Sequence, residues 1–419
     1  MEATAPSSTI DSDRRVASRT SVRRAADAVL VLLFLAGLWI PLLGVHLGRH
    51  GWDISTARAE NRRMAAMPLA LRLKEAHVTL PKAKLKAFAK LPGDFKYYLS
   101  DHFGFRSLLI RAHGLLMVKG LGVTSNPAVI LGKQGWLYLG NDGSTEDWRN
   151  LEPFTSQELE QFRQMLESRN AFCVRIGIPY LFVVAPSKYD IYPEYMPDNL
   201  TRVRSECRLD QLLAYLREKH SPVQVLDLRG PLMEAKKQGV RLFQKTDTHW
   251  NERGAWVAYQ AIMDAVRQKL PQVEVLPLSD FDLVTRQVPG MDLAGLLGLN
   301  DVLHEESLDL VPRIPLRLPY VEQNVVEPIN VPPRSAGQAS IVMFRDSFMT
   351  AVLPYVAESF GRGVYFWEDG FDQNVVQTER PSIVIQEIAQ RKLMHDVPFL
   401  EKTQAVKRVN GSWQLVNPP

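Results

Sequence analysis

From residue 155 onward, stretches with apolar residues three and four apart alternate with short unbroken apolar runs, the pattern of helices laid against buried strands. Thr155, with Glu158 three residues on, is a capping box opening a helix through about Arg175. Tyr180–Ala185 reads as a buried strand, 206–220 as a helix and 223–228 as a strand. Residues 251–269 form a helix with Asn251 as its N-cap. The rest reads as a strand over 340–344, a helix over 348–360, a strand over 363–367 and a last strand over 382–388. Apolar strands separated by helices predict an α/β fold, a parallel sheet flanked by helices on both faces. Residues 270–338, rich in proline, read as an insertion of loops and small strands.

The earlier part of the chain is organised differently. Residues 93–119 carry apolar side chains at helical spacing (Phe95, Tyr98, Phe105, Leu108, Leu109, Leu115), which fits one or two amphipathic helices. Residues 129–139 read as a short hairpin with Gly132 and Gly135 in its turn. Residues 28–47 are apolar throughout apart from His46, and about 20 residues suffice to cross a bilayer. Arg14, Arg15, Arg19, Arg23 and Arg24 precede this run and favour a cytoplasmic N-terminus, although Arg49, Arg58, Arg62 and Arg63 follow it. The run exceeds the apolar core of a secretory signal, and no clean small-residue cleavage site follows it, so an uncleaved anchor is expected. The organisation is then a disordered cytoplasmic tail over 1–27, an N-terminal transmembrane helix over 28–47, and an entry segment over 48–150 packed on the main domain. The main domain covers 151–419, with the insertion near 270–338.

Composition adds mostly exclusions. The net charge of +4 comes without basic clusters and gives no electrostatic case for nucleic acid. Cys173 and Cys207 lack metal-ligand spacing, and in an oxidising compartment one disulfide between them is open.

Two short segments carry candidate chemistry. Ser347 follows the 340–344 strand in Arg345-Asp-Ser-Phe348, at the carboxyl end of a strand where open α/β sheets bind ligands. A serine there adjoins backbone N–H groups that can stabilise a developing oxyanion. Asp247 and His249 stand two apart just before the 251–269 helix. They supply a base for a hydroxyl and an anion that fixes the base's tautomer. Plainer roles fit the same residues: an N-cap for Asp346-Ser347, and a cap or structural polar partner for His249. No second His or Cys lies at a spacing that would make His249 a metal ligand, so no metal is expected.

At these residues the chain resembles the SGNH-hydrolase-like polysaccharide O-acetyltransferases of the AlgJ/AlgX type. The resemblance runs in order through Glu60-Asn-Arg62 with Pro68, Asp101-His-Phe-Gly-Phe-Arg106, Gly132-Lys-Gln-Gly-Trp-Leu-Tyr138, and Pro186-Ser-Lys188 with Ile191-Tyr-Pro-Glu194. It continues through Thr246-Asp-Thr-His-Trp250 with Gly254, Asp292-Leu-Ala294, and Arg345-Asp-Ser-Phe348. The resemblance implies a circularly permuted SGNH-hydrolase-like fold and a catalytic Asp247, His249 and Ser347. It implies work in the bacterial periplasm on an exported polysaccharide. A membrane-bound O-acyltransferase would supply acetyl groups across the inner membrane, with no cofactor held by the chain itself.

This sequence departs from the family pattern at three places. Arg345 stands where a glycine often precedes Asp-Ser, Gln390-Arg391 stands for a Glu-Arg pair, and Gly290-Met-Asp-Leu293 stands for Gly-Asp-Leu. Residues 389–419 are too short for the carbohydrate-binding module of the AlgX type, so the AlgJ type is expected. Substrate-side candidates are Tyr192, Trp250 and Trp367 as aromatic platforms for sugar rings, each also fitting plain core packing. Lys188 is a candidate for an anionic sugar, or else a solvated loop lysine, and Arg345 adjoins the nucleophile. Two alternatives stand beside acetyl transfer: an acetyl-esterase using the same residues, and a catalytically silent glycan-binding assembly component.

Overall fold

The structure is a computed structural model. It describes residues 24, 26–37, 39, 65–73, 80–102, 106–319, 321, 326–334 and 337–416. The chain divides into two compact units, residues 1–116 and 117–419. The hairpin expected in the entry segment therefore lies in the second unit. Of the expected membrane anchor, residues 28–37 and 39 are helical, while 38 and 40–47 lie outside the described residues. Among the described residues no helix is long and apolar enough to cross a membrane.

In the first unit, α1 (Pro81–Asp101) begins well before the expected position 93, because Pro92 sits within it rather than ahead of it. The helix α2 (Arg106–Gly114) follows. Asp101 ties this unit together locally, its Oδ2 accepting the Ala65 N–H at 2.7 Å.

The second unit opens with β1 (Val129–Leu131) paired antiparallel to β2 (Leu137–Leu139), as the hairpin reading expected. The helices α3 (Ser144–Arg149) and α4 (Ser156–Arg175) follow. At the start of α4 the Thr155–Glu158 box forms in both directions, Thr155 N–H to Glu158 Oε2 at 2.7 Å and Glu158 N–H to Thr155 Oγ1 at 3.2 Å. The chain continues through β3 (Tyr180–Ala185), α5 (Arg208–Glu218), β4 (Val225–Asp227), α6 (Arg229–Lys237) and α7 (Glu252–Arg267). The proline-rich stretch resolves into a long hairpin of β5 (Phe281–Pro289) and β6 (His304–Pro312), then the short β7 (Ile329–Val331). After it come β8 (Ser340–Arg345), α8 (Leu353–Ser359), β9 (Arg362–Trp367), α9 (Gln373–Glu379), β10 (Ile383–Ala389) and the terminal hairpin β11 (Val406–Val409) with β12 (Ser412–Leu415).

The central sheet has six strands in the order β4-β3-β10-β8-β9-β7. Its inner pairs are parallel, as expected, but β7 runs antiparallel to β9 and makes the sheet mixed. An antiparallel edge strand needs no crossover helix, so a three-residue segment leaving the β5–β6 hairpin can dock there directly.

Strand periodicity sorts the core into two layers. Leu181, Val183, Ile341, Met343 and Ile385 face α7 and α8, while Phe182, Val184, Val342, Phe344 and Val384 face α4, α5 and α9. Each such side chain contributes about 1.5–3 kcal/mol on full burial, which fixes the register of the strands and the position of their carboxyl ends. Cys173 and Cys207 are free thiols buried in the second layer, so the disulfide left open by the sequence is not formed. The helix expected over 348–360 is broken into a single tight turn, Ser347–Ala351, and α8. Pro354, in the first turn of α8, has no N–H to continue an incoming helix.

Candidate active site

The loops leaving the carboxyl ends of β3, β8 and β10, adjacent in the sheet, converge on one edge. They carry Ser187 and Lys188, Ser347 and Phe348, and Gln390 and Arg391 respectively. A fourth loop, 244–249, crosses above them, and an antiparallel bridge between Phe243 and Trp250 closes its base. Asn251 N–H donates to Leu242 O at 2.9 Å, and Asn251 Oδ1 accepts from Gly254 N–H at 3.0 Å, so Asn251 caps α7 as expected.

Inside that loop Asp247 and His249 fold onto each other. Asp247 Oδ1 accepts the backbone N–H of His249 at 2.9 Å and lies 2.7 Å from His249 Nδ1. The other ring nitrogen, Nε2, lies 2.8 Å from Ser347 Oγ. Serine, histidine and aspartate thus form one continuous hydrogen-bonded chain, with the histidine and the serine 98 residues apart in sequence. With the Nδ1 proton directed at a carboxylate, Nε2 is left as the acceptor for the serine hydroxyl. Burial pulls the imidazole down, but the hydrogen bond and charge of Asp247 outweigh it and hold His249 above the ordinary histidine range. Burial likewise pushes the Asp247 carboxyl up, and the contacts with His249 reverse that and bring it below the usual value.

The second layer holds this geometry from several directions. Asp292 Oδ1 accepts the Thr248 N–H at 2.8 Å, and its Oδ2 stands 4.0 Å from His249 Nδ1. Burial, reinforced by the Asp247 charge, pushes the Asp292 carboxyl up to about 6. Asp247, His249 and Asp292 bring three metal-type ligand atoms within 4.8 Å of one another. Within this group His249 Nδ1 and Asp247 Oδ1 are already engaged with each other at 2.7 Å. Glu305, reaching in from β6, accepts the N–H groups of Lys245 (2.7 Å) and Thr246 (2.9 Å) and also the Thr246 hydroxyl. Beneath the serine, Asp346 Oδ1 accepts the Phe348 N–H at 2.9 Å and Oδ2 the Ala389 N–H at 2.7 Å, tying the nucleophile's turn to the end of β10. Glu387 is wholly buried and receives the Asp346 N–H at 3.0 Å. Burial pushes its carboxyl well above the usual range.

The substrate-side candidates fare differently. Lys188 is buried, and its Nζ donates to the backbone carbonyls of Gln244 (3.0 Å), Lys245 (3.1 Å) and Asp247 (2.5 Å). Burial pulls its ammonium down to about 8. It is neither solvated nor free for an anionic sugar, because its donors already hold the Asp247 loop. Arg345 is wholly buried, stacked with its guanidinium carbon 4.4 Å from the centre of the Trp367 ring, and donates to Asp346 O and Thr350 Oγ1. It therefore props the end of β8 from inside and faces no open surface. Trp250 is packed edge-on to Phe348 and Phe243, and Tyr192 against Trp136 and Phe243, so both rings belong to the core. Trp367 is half-buried beneath Arg345.

A small cleft opens at this edge, lined by Tyr138, Leu139, Ser144, Ser187, Lys188, Tyr189, Thr248, Phe348 and Arg391. Thr248 and Phe348 in this lining are the chain neighbours of His249 and Ser347, which do not line the cleft themselves. Glu305 carries no local signal in the sequence. Arg391 had one: it follows the last strand at the edge where ligands bind.

Residues 129–316 match the family described as SGNH hydrolase-like domain, acetyltransferase AlgX. That span includes Asp247, His249 and Asp292, and Ser347 lies beyond it. A protein of Pseudomonas syringae pv. tomato named probable alginate O-acetylase AlgJ is 31% identical over 146 residues, covering 35% of this chain and 35% of that protein. The Azotobacter vinelandii protein of the same name is 29% identical over 188 residues, covering 43% and 44%. The chain thus spans less than half the length of the curated relatives it matches. Among solved structures, Bacillus cereus PatB1 aligns with a TM-score of 0.47 at 17% identity, over 65% of this chain and 98% of that one. The O-acetyltransferase domain of Pseudomonas putida AlgJ aligns with 0.40 at 21%, over 64% and 94%. The resemblance read from the sequence blocks and the family match agree: this is an SGNH-hydrolase-like α/β fold with a mixed sheet.

Proposed function

We propose that the chain is a serine-dependent O-acetyltransferase that moves acetyl groups onto hydroxyls of an exported bacterial polysaccharide. The observation that carries this reading is the unbroken chain from Ser347 Oγ to His249 Nε2 at 2.8 Å and from His249 Nδ1 to Asp247 Oδ1 at 2.7 Å. The match to an acetyltransferase family and the names of the relatives support acetyl as the group and a polysaccharide as the acceptor.

In the first half-reaction Ser347 Oγ bonds to the carbonyl carbon of an acetyl donor while its proton passes to His249 Nε2. The carbonyl electron pair moves onto oxygen and then returns, expelling the donor's oxygen with that proton. In the second, a sugar hydroxyl repeats the attack on acetyl-Ser347, its proton going to His249, and Ser347 leaves as the alcohol. Asp247 holds the imidazole in the productive tautomer and stabilises its charged form. The chain needs no cofactor for this. The acetyl donor comes from a membrane-bound O-acyltransferase partner, and the chain works in the periplasm, tethered to the inner membrane through residues 28–47.

The test uses the full-length chain with p-nitrophenyl acetate, with and without acceptor glycan, beside Ser347→Ala. The reading expects acetyl-glycan to accumulate with the native chain and not with the variant. Free acetate released at a rate indifferent to acceptor would make the protein an esterase. A Ser347→Ala chain that still acetylates polymer in cells would end the serine mechanism.

A further inference from the structure

The helix α1 turns one apolar stripe inward and a second one out to solvent, with lysines along the borders of the second. Resting on the membrane tether proposed above, we infer that α1 lies flat on an anionic bilayer surface. The outer stripe sits among the lipid headgroups, and the bordering ammonium groups meet the lipid phosphates.

Two sets of apolar positions share this helix. Ala83, Ala87, Leu91 and Tyr98 recur at helical spacing and are buried or half-buried, and α1 packs against the turn at Leu69–Leu71. Leu85, Phe88, Pro92, Phe95 and Leu99 recur three and four apart as well, about 120° round the helix from the first set. The four large side chains of this second set, Leu85, Phe88, Phe95 and Leu99, are 72%, 54%, 45% and 50% exposed. One exposed apolar side chain is ordinary, but a line of them about 21 Å long marks a face that binds something.

Charge selects the partner. The exposed positions of α1, all among the described residues, carry Lys82, Lys84, Lys86, Lys90 and Lys96 and no carboxylate. Its two aspartates, Asp94 and Asp101, are half-buried on the inner side, where Asp101 holds the Ala65 N–H. Lys84 and Lys96 border the outer stripe, about 60° to either side, so their aliphatic stems run along the apolar layer and their ammonium groups reach the headgroups. Lys90 stands opposite the stripe, about 10 Å away across the helix, where salt screens it from the lipid. An apolar face with a basic flank is the form of a helix that lies in a membrane interface rather than across it. The proposed tether ends at residue 47 and α1 begins at 81, and residues 48–80 reach at most about 120 Å, so the bilayer that holds the tether stays within reach of the stripe.

The experiment places the full-length chain in vesicles of phosphatidylglycerol with phosphatidylethanolamine, or of phosphatidylcholine alone, with an environment-sensitive fluorophore on Phe88→Cys, Phe95→Cys or Lys90→Cys. Cys173 and Cys207 are buried, and the native chain treated alike gives their background. In the anionic vesicles the labels at 88 and 95 shift to the blue and are quenched by spin-labelled lipid, while the label at 90 stays in water. Read at position 88, Lys84→Gln and Lys96→Gln each lower the docked-to-free ratio about 5-fold, and Lys90→Gln lowers it less. Phe95→Ser lowers it about 10-fold or more. These side chains are exposed, so the melting temperature stays native. Labels at 88 and 95 quenched no more than the label at 90, or quenched equally in phosphatidylcholine, overturn the inference. A blue shift without quenching also overturns it, because a protein surface then covers the stripe. Extraction of the whole chain by alkaline carbonate would instead fail the tether through residues 28–47, with the label contrast still read on added vesicles, and a fully active Ser347→Ala would fail the serine mechanism alone.

Discussion

Asp292 sets its Oδ2 4.0 Å from the Nδ1 of His249, a second carboxylate standing behind the one that bonds the ring. Burial and the Asp247 charge push Asp292 up to about 6, so it gains its charge as the pH rises through that value. A negative charge there favours the imidazolium, and Asp292 is one of the groups that raise His249. The base must be neutral to accept the serine proton, so activity rises with pH as His249 loses its proton. Asp292→Asn removes the charge and keeps an oxygen for the Thr248 N–H. The expected outcome is an acid limb of kcat/KM displaced to lower pH. A limb that stays in place or moves upward would show that Asp292 does not act on His249 electrostatically.

Asp247 governs the tautomer more directly, because its Oδ1 accepts both the ring and the backbone N–H of His249. Asp247→Asn keeps the size and can present an N–H to Nδ1, which moves the ring proton to Nε2 and turns the base away from Ser347. In serine hydrolases the corresponding change costs about 10⁴ in kcat with the geometry preserved. A loss of that order on p-nitrophenyl acetate, with an unchanged melting temperature, is expected for this chain.

How much of this was legible in the sequence depends on how local the causes are. Tyr180–Ala185 and the Ile341–Phe344 part of β8 are unbroken apolar runs, and β10 is one apart from the buried Gln386 and Glu387, so burial on both faces announces them. Asp247-x-His249 and the serine after β8 were readable as chemistry because each sits at a strand or helix junction. The role of Lys188 was not readable. Its partners are carbonyls 56 to 59 residues away, and only the folded path of the 244–249 loop brings them over its ammonium. Glu305 grips that loop from 59 and 60 residues away for the same reason. The break after Ala351 was visible as Pro354, but apolar spacing on both sides of it reads through as one helix.

Lys188→Met tests whether the buried ammonium is structural to the site. Methionine approximates the volume and leaves the three carbonyls without their donor, at a cost of about 1–3 kcal/mol for unsatisfied buried polar groups. Because one of those carbonyls belongs to Asp247, the damage falls on the catalytic loop as well as on stability. We expect a lower melting temperature together with a reduced kcat on p-nitrophenyl acetate. A variant that melts lower at native kcat would confine Lys188 to the scaffold.

Gly254 sits where the base of the His249 loop meets the first turn of α7, and the space there has no room for a side chain. A Cβ at this position would stand 2.2 Å from Leu242 O and 2.7 Å from Trp250 Cβ. Leu242 O accepts the N–H of Asn251, and Trp250 forms the bridge to Phe243, so the two atoms in the way are those that close the loop. Gly254→Ala must therefore push apart the Leu242 and Trp250 backbones or shift the start of α7. Overpacking of this kind costs about 1–3 kcal/mol. His249 follows Thr248 into that junction, and displacing it lengthens the 2.8 Å contact from Nε2 to Ser347 Oγ. The expected outcome is a lower melting temperature with a kcat loss larger than any change in KM. An alanine variant that matches the native chain in both melting and turnover would mean that the loop base yields without moving the histidine.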